Sequence, residues 1–312
     1  MKQPLSSKTV PLFLLFLIAS GTMFFAGTVF ALEISNQGEN HLRSIYQQNT
    51  TRLDKSSFGL PLFLDSFERD NRVHVDVYGI FNSPFTSIAD VLKIPANWCD
   101  IVSIHPNVKS CTYGGVPGSG QLTFYVGKKT YQPPEDTRHV VYQYRTVTHH
   151  NSYMDTILSA DSGPFGTEGH IMRFEAMPLA GGRTFVHVSY EYSDSVALRL
   201  AAKVYFATIG RDKVGFTETG TDDDGKPTYI GGPRGSIERN AVRYYFAIQS
   251  FMNTQSSAEK NRFKVRISDW YDRTSHYPKQ LFDLDRKDYL AFKTSEHGNQ
   301  LMLQQKITTP LQ

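Results

Sequence analysis

Histidine and carboxylate side chains are the first candidates for chemistry in this chain. His149 and His150 are neighbours, and neighbours in a strand point to opposite faces, so we interpret them as a polar pair at a strand end. Glu168 and His170 could share a face and could form a site together with His187, but the spacing matches no zinc pattern. The sequence therefore predicts neither a metal site nor a cofactor.

Motifs for nucleophilic catalysis and calcium binding are incomplete. The segment Gly118 to Gly120 lacks the glycine that precedes the serine by two residues in a nucleophile elbow. The run Asp222 to Gly225 lacks the alternating oxygens and the distal glutamate of an EF-hand loop. We expect this run to be a solvated hairpin turn.

A glycine-rich segment, Gly231 to Ser236, leads into a helix and contains Arg234. Free N–H groups, the helix dipole and a forked guanidinium together attract anions, so this end could hold a phosphate or carboxylate head group. The alternative is a tight turn in which Arg234 pairs with an acidic side chain. Arg239 and Arg243 follow four residues apart, and we expect a surface ion-pair face, or else the polar end of a cavity.

The two cysteines, Cys99 and Cys111, are close in sequence. In an oxidising compartment such a pair is expected to form a disulfide. Reduced thiols or a metal pair are alternatives, although His105 is the one further ligand evident nearby.

The N-terminal segment has the parts of a secretory leader. Lys2 and Lys8 are positive, residues 9–32 carry no charge, and Val29 and Ala31 suit a cleavage site. We expect export to the periplasm or the extracellular space with cleavage after Ala31. An uncleaved anchor is the alternative, because the uncharged stretch approaches the roughly 20 residues of a membrane span.

The amino-acid composition indicates which kinds of partner the protein binds. The formal charge of +3 falls to +1 once Lys2 and Lys8 are removed with the leader, which argues against nucleic-acid binding. The 17 tyrosines and 21 phenylalanines suit a sheet with one wet face, or the wall of an amphipathic cavity.

Alternating patterns bounded by glycine and proline turns predict antiparallel strands. In Arg72 to Phe81, the side chains of Val73, Val75 and Val77 share one face. Further strands are predicted at Val108–Tyr113, Gln121–Lys128, Arg138–Thr148, Tyr153–Ala160, His170–Met177 and Arg183–Asp194, with a short strand at Lys213–Thr219.

Segments whose apolar residues recur at helical spacing connect and flank these strands. Ser83 and Pro84 begin a helix that Pro95 ends, and Ser236 caps a long helix that reaches Met252. The apolar helix Ser195–Ile209, with Arg199 and Lys203, is either buried or a lid that touches a membrane. A helix at His41–Asp54 and a packing segment at Phe58–Phe67 precede the strands.

The order of elements resembles the helix-grip fold of the START-like (SRPBCC) superfamily, which includes polyketide cyclases and lipid-transfer domains. The residues that carry it are RVHVDVYGIFNSPFTSIADVL at Arg72–Leu92, the strands of Gln121–Asp194, and SIERNAVRYYFAIQSFM at Ser236–Met252. An extra helix and strand between Ser195 and Gly235 depart from the pattern.

The resemblance implies an α+β fold in which a curved antiparallel sheet wraps around a long C-terminal-side helix. It also implies a cavity for an apolar molecule between the two, and no shared catalytic constellation. The chain would divide into a leader or anchor (1–31), an N-terminal tether and packing segment (32–71), a START-like domain (72–254) and a C-terminal helical extension (255–312).

The expected function is extracytoplasmic, non-catalytic binding or transfer of a lipid-like ligand, with possible membrane-surface contact through residues 195–209. One alternative is a cyclase- or hydrolase-like enzyme, which needs a convergent cluster such as His170, Tyr190 and Asp155. Another is a cell-envelope interaction module with a filled core. Besides Arg234, the predicted ligand contacts are inward-facing residues of strands and helix: Val75, Val77, Phe124, Tyr142, Tyr144, Met172, Phe174, Val188, Tyr190, Tyr192, Tyr245 and Ile248.

Overall fold

A computed structural model describes residues 37–208 and 210–308, apart from the side chains of residues 149, 150, 165, 196 and 197. The predicted leader, its cleavage after Ala31 and the alternative anchor lie outside these residues, and so do the side chains of the His149–His150 pair. No helix in the described ranges combines the length and the hydrophobicity needed to cross a bilayer.

Eight antiparallel strands form one sheet in the order β1-β2-β8-β7-β6-β5-β4-β3. The six strands predicted between residues 108 and 194 are confirmed, and they follow one another as a meander from β3 to β8. The bounds are β1 (Leu62–Arg69), β2 (Arg72–Phe81), β3 (Val108–Val116), β4 (Ser119–Val126), β5 (Arg138–His150), β6 (Tyr153–Ser162), β7 (Thr167–Leu179) and β8 (Arg183–Asp194).

The first strand corrects the interpretation of Phe58–Phe67 as a segment that packs against the sheet. Leu62–Arg69 is itself the edge strand β1, paired along its length with β2. Pro61 precedes the strand rather than interrupting it, and an edge strand tolerates proline at its start. A separate hairpin of β9 (Glu218–Thr221) and β10 (Pro227–Tyr229) replaces the strand predicted at Lys213–Thr219.

Two helix starts differ from prediction. The long helix begins at Gly232, so Ser236 lies within its first turns and does not cap it; Pro233 suits this start because a first-turn N–H needs no partner. Ser83 likewise makes no cap bond to the helix after Pro84. The helices are α1 (residues 37–48), α2 (Thr50–Asp54), α3 (Phe85–Leu92), α4 (Pro95–Val102), α5 (Val196–Ala207), α6 (Gly232–Asn253), α7 (Glu259–Ser275), α8 (Pro278–Leu281) and α9 (Arg286–Thr308).

The fold is α+β, with the sheet curved around α6. The inner face of the sheet presents alternate strand residues to α6, and α7 and α8 cover the other side of that helix. On the outer face, Leu42 of α1 and Leu53 of α2 pack against Tyr78, Tyr153 and Phe185. Helix α6 is consequently buried along nearly its whole length.

The C-terminal helix α9 is integral to this core. Its Gln300 side-chain oxygen accepts a hydrogen bond from the Cys111 backbone N–H of edge strand β3 at 2.9 Å. Gln304 accepts from the N–H of Tyr113 at 2.9 Å and donates to its carbonyl at 3.1 Å. Buried Lys293 donates to three backbone carbonyls between Ser103 and Val108, each at 2.8 Å.

A disulfide joins Cys99 of α4 to Cys111 of β3, as predicted. It ties the helix that lies over the sheet to the edge strand that α9 covers. Both sulfur-bearing residues are buried in the main core.

We expect the double substitution Cys99→Ala and Cys111→Ala to lower the free energy of unfolding by about 3 kcal/mol, because a cross-link restricts the unfolded chain. Urea titration at neutral pH measures the change. Wild-type protein treated with a reductant is the control and should match the double variant. Equal midpoints for oxidised and reduced wild type would show that the bond adds no stability.

Candidate functional site: the inner cavity and the outer polar network

Side chains almost completely fill the space between the sheet and α6. A cavity of about 10 Å³ remains between α4, α6 and strands β6 to β8, with room for at most one water molecule. Its wall is largely apolar and is formed by Trp98, Ile101, Val102, Leu158, Met172, Arg173, Phe174, Val188, Tyr244 and Ile248.

Four predicted ligand contacts line this cavity: Met172, Phe174, Val188 and Ile248. Others belong to the same core but lie away from the cavity: Val75, Val77, Phe124, Tyr142, Tyr144, Tyr190, Tyr192 and Tyr245.

Sequence reasoning missed the contribution of α4, namely Trp98, Ile101 and Val102, because it treated this segment as a short turn. It also missed Leu158 and Tyr244. Leu158 shares the inward alternation of β6, and Tyr244 lies four residues before Ile248 on α6, so both signals were present in the pattern.

A polar cluster lies on the same inner face. The Nδ1 atom of His170 lies 3.0 Å from the Tyr190 hydroxyl, and its Nε2 atom lies 2.7 Å from the Thr167 hydroxyl. Burial lowers the pKa of His170 to about 4, so the ring is neutral at neutral pH. Burial also raises the pKa of Tyr190 well above its usual value.

The acid–base cluster required for the enzyme alternative is not assembled. His170 and Tyr190 meet, but Asp155 is on the outer face of the sheet, where it accepts a hydrogen bond from Arg173 at 2.8 Å. His187 also faces outward, so it does not join Glu168 and His170. Within the described residues, no group of three or more His, Cys, Asp or Glu is arranged to hold a metal ion.

Arg234 lies at the start of α6 and is engaged by protein groups. Its Nε donates to the Ser66 hydroxyl at 2.7 Å and lies 3.9 Å from a carboxylate oxygen of Glu238. Glu238 is fully buried and accepts from the backbone N–H groups of Phe216 and Thr217 at 2.6 and 2.9 Å. The arrangement is the tight turn with a paired arginine, which was the second interpretation of this segment.

The prediction that Arg239 and Arg243 form a surface ion-pair face is wrong. These residues are only 7% and 2% exposed, because α6 is covered on the side opposite the sheet as well. Their guanidinium groups bind backbone carbonyls and Asp283 instead of solvent.

On the outer face, two histidines alternate with three carboxylates across β2, β7 and β8. We call His74, Asp76, Glu175, His187 and Glu191 the imidazole–carboxylate network. His187 lies 2.6 Å from Glu175 and 2.8 Å from Asp76, whose second oxygen is 2.9 Å from His74. The other ring nitrogen of His74 is 3.0 Å from Glu191.

This geometry favours a positive charge on both rings, because each nitrogen faces a carboxylate, and an ionised carboxylate can only accept a hydrogen bond. Burial opposes the charge on His187, but its bonds to Asp76 and Glu175 raise the pKa to about 9. The pKa of His74 is also raised: burial opposes this, but Asp76 and Glu191 outweigh it. Four cations then balance four carboxylates: Arg72, His74, Arg173 and His187 against Asp76, Asp155, Glu175 and Glu191.

We expect alkaline pH to weaken the fold through His187. The folded pKa of about 9 lies above the ordinary value, so the stabilisation is complete below about pH 6.5 and is lost as the pH rises through 9. The loss is on the order of 3 kcal/mol for a buried group shifted this far.

Urea titrations of wild type and of His187→Gln across this pH range measure the effect as a difference in slope. His139→Gln, a substitution at an exposed histidine of β5, is the matched control and should keep the wild-type slope. Comparing variants also removes the opposing effect of Lys129 and Lys293, whose pKa burial lowers to about 8. Parallel curves for wild type and His187→Gln would refute a charged His187.

Neither a protein-family model nor a curated protein matches the sequence. Solved structures with a similar arrangement include human StAR-related lipid transfer protein 5, at 9% identity and a TM-score of 0.33 over 71% of this chain and 97% of that one. The di-domain ARO/CYC BexL from the BE-7585A biosynthetic pathway is 13% identical, with a TM-score of 0.36 over 75% of this chain and 62% of BexL. Norcoclaurine synthase from Thalictrum flavum is 12% identical, with a TM-score of 0.31 over 47% and 78%. Likenesses this low carry no argument about function, so the fold class rests on the strand order and on α6.

Proposed function

We propose that the protein binds an apolar, lipid-like small molecule between the sheet and α6 and carries it without transforming it. The observation that supports this is the cavity wall, in which α4, α6 and three strands bring apolar side chains together. Each CH₂ group of a ligand tail buried there would contribute about 0.8 kcal/mol. The leader pattern and the disulfide between Cys99 and Cys111 support an extracytoplasmic location.

A ligand must enlarge the cavity, so one wall has to move. Helix α4 is held by the disulfide and by Trp98, whose indole N–H donates to the Leu92 carbonyl at 2.7 Å. Helix α5 does not line the cavity, so the walls left to shift are α6 and strands β6 to β8.

The small size of the cavity favours a second candidate, a cell-envelope interaction module whose core is filled by its own side chains. An enzyme of the cyclase or hydrolase type has less support, because Asp155 faces away from His170 and Tyr190.

We expect a stoichiometric lipid to co-purify with the protein from an exporting host, and native mass spectrometry followed by solvent extraction detects and classifies it. The substitution Ile248→Trp places a larger ring in the cavity and should abolish lipid retention. Val141→Trp, at an exposed position on β5, is the control and should retain it. A bare wild type that also takes up no fatty acid, phospholipid or sterol would favour the filled-core module.

We propose in addition that α5 touches the membrane surface from which the ligand is taken. Leu200 and Val204 are 68% and 61% exposed, and the charged residues of the helix are Arg199 and Lys203, both positive. An apolar face beside cations suits the boundary of an anionic bilayer.

The double substitution Leu200→Ser and Val204→Ser should reduce co-sedimentation with anionic phospholipid vesicles several-fold, because the apolar face supplies the insertion energy. Leu301→Ser with Met302→Ser, on the exposed side of α9, is the matched control. If both double variants sediment like wild type, α5 is not the contact.

A further inference from the structure

Buried positive charge is concentrated beside the N-terminal half of α6. Arg239 and Arg243 lie one helical turn apart and are almost completely buried. Lys129, from the loop after β4, reaches the same place. We call Arg239, Arg243 and Lys129 the cation cluster.

The cluster has too few anionic partners inside the protein. Arg243 donates to one oxygen of Asp283 at 2.7 Å, and Lys129 pairs with the other oxygen of the same carboxylate. Arg239 donates to the carbonyls of Lys213 and Val214, both at 3.0 Å, and no carboxylate of the described residues lies within ion-pair distance of it. Two of the three cations thus share one carboxylate, and the third bonds only to backbone carbonyls.

One strong donor of the cluster is also unused. The Nε–H group of Arg243 is buried without a hydrogen-bond partner among the described residues. A buried donor left unsatisfied is destabilising, and more so when it is charged. The site therefore offers a directed, charged N–H group as well as net positive charge.

The ionisation of the surrounding groups agrees with this excess. Burial and the charge of Arg243 lower the pKa of Arg239 to about 10 and that of Lys129 to about 8. Burial, followed by the positive charges of Arg243, Lys293 and Lys129, lowers the pKa of His105 well below its usual value. His105 stacks on Tyr244, so the positive region borders the cavity wall.

We infer that Arg239, Arg243 and Lys129 form a binding site for a carboxylate or phosphate group, which is the polar head of a ligand whose tail lies in the cavity. The inference rests on the proposed function and narrows its ligand to an anionic amphiphile. Tyr244, the next residue after Arg243, lines the cavity and stacks on His105, so a ligand that reached from the cluster to the cavity would pass around α6 beside this pair. Arg234, the residue that the glycine-rich segment suggested, is instead neutralised by Glu238.

Calorimetry tests whether the cation cluster recognises an anionic head group. It compares the binding of a long-chain fatty acid with that of the alcohol of equal chain length. Wild type should bind the acid at least about tenfold more tightly than the alcohol, which corresponds to about 1.4 kcal/mol. Arg239→Gln keeps an amide donor for the two carbonyls and should lose the preference, whereas Arg239→Lys should retain part of it. Arg286→Gln, which removes an exposed arginine of α9, should behave like wild type.

Inorganic phosphate, compared with chloride at equal ionic strength, tests the site independently of the tail. It should raise the melting temperature of wild type and of Arg286→Gln, but not that of Arg239→Gln. If phosphate acts in this way while neither amphiphile binds, the carrier function fails and the cluster is a site for a free anion. Equal binding of acid and alcohol by wild type, an unchanged preference in Arg239→Gln, or no response to either ligand class would overturn the anion site.

Discussion

The structure depends on burying α6 on all sides. The curved sheet covers one side of this helix, and α7 with α8 covers the other, so every side chain near its middle needs a partner within the protein. The fit to the sheet is close: a Cβ atom at Gly79 of β2 would overlap the Tyr245 hydroxyl. Burial also explains why the charged residues of α6 are tied to fixed groups, with Glu238 on backbone N–H groups and Arg243 on Asp283.

Side chains point alternately to the inner and the outer face along each strand, so the two faces of the sheet differ in chemistry. Residues of even number on β7 and β8 point to α6 and form an apolar wall with His170 and Tyr190 at one end. The odd-numbered Glu175 and His187 point outward into the imidazole–carboxylate network. The inner face therefore suits an apolar guest, whereas the outer face cross-links β2, β7 and β8 by charge.

Much of the sheet could be predicted from sequence, because strands with one apolar face and glycine or proline turns show a clear period. Edge strand β1 was missed because Phe58–Phe67 is apolar on both faces and contains Pro61. The burial of Arg239 and Arg243 depends on how α7 and α8 pack on α6, which no local pattern encodes. The imidazole–carboxylate network was missed for a similar reason: its members come from strands far apart in sequence, and only the strand order brings them together.

The two glutamines of α9 have a consequence for one edge of the sheet. The exposed edge of a sheet is a template on which another chain can add a strand. At the β3 edge, Gln300 and Gln304 already occupy backbone groups of Cys111 and Tyr113. Helix α9 thus blocks strand addition at the β3 edge, although it takes no part in the cavity.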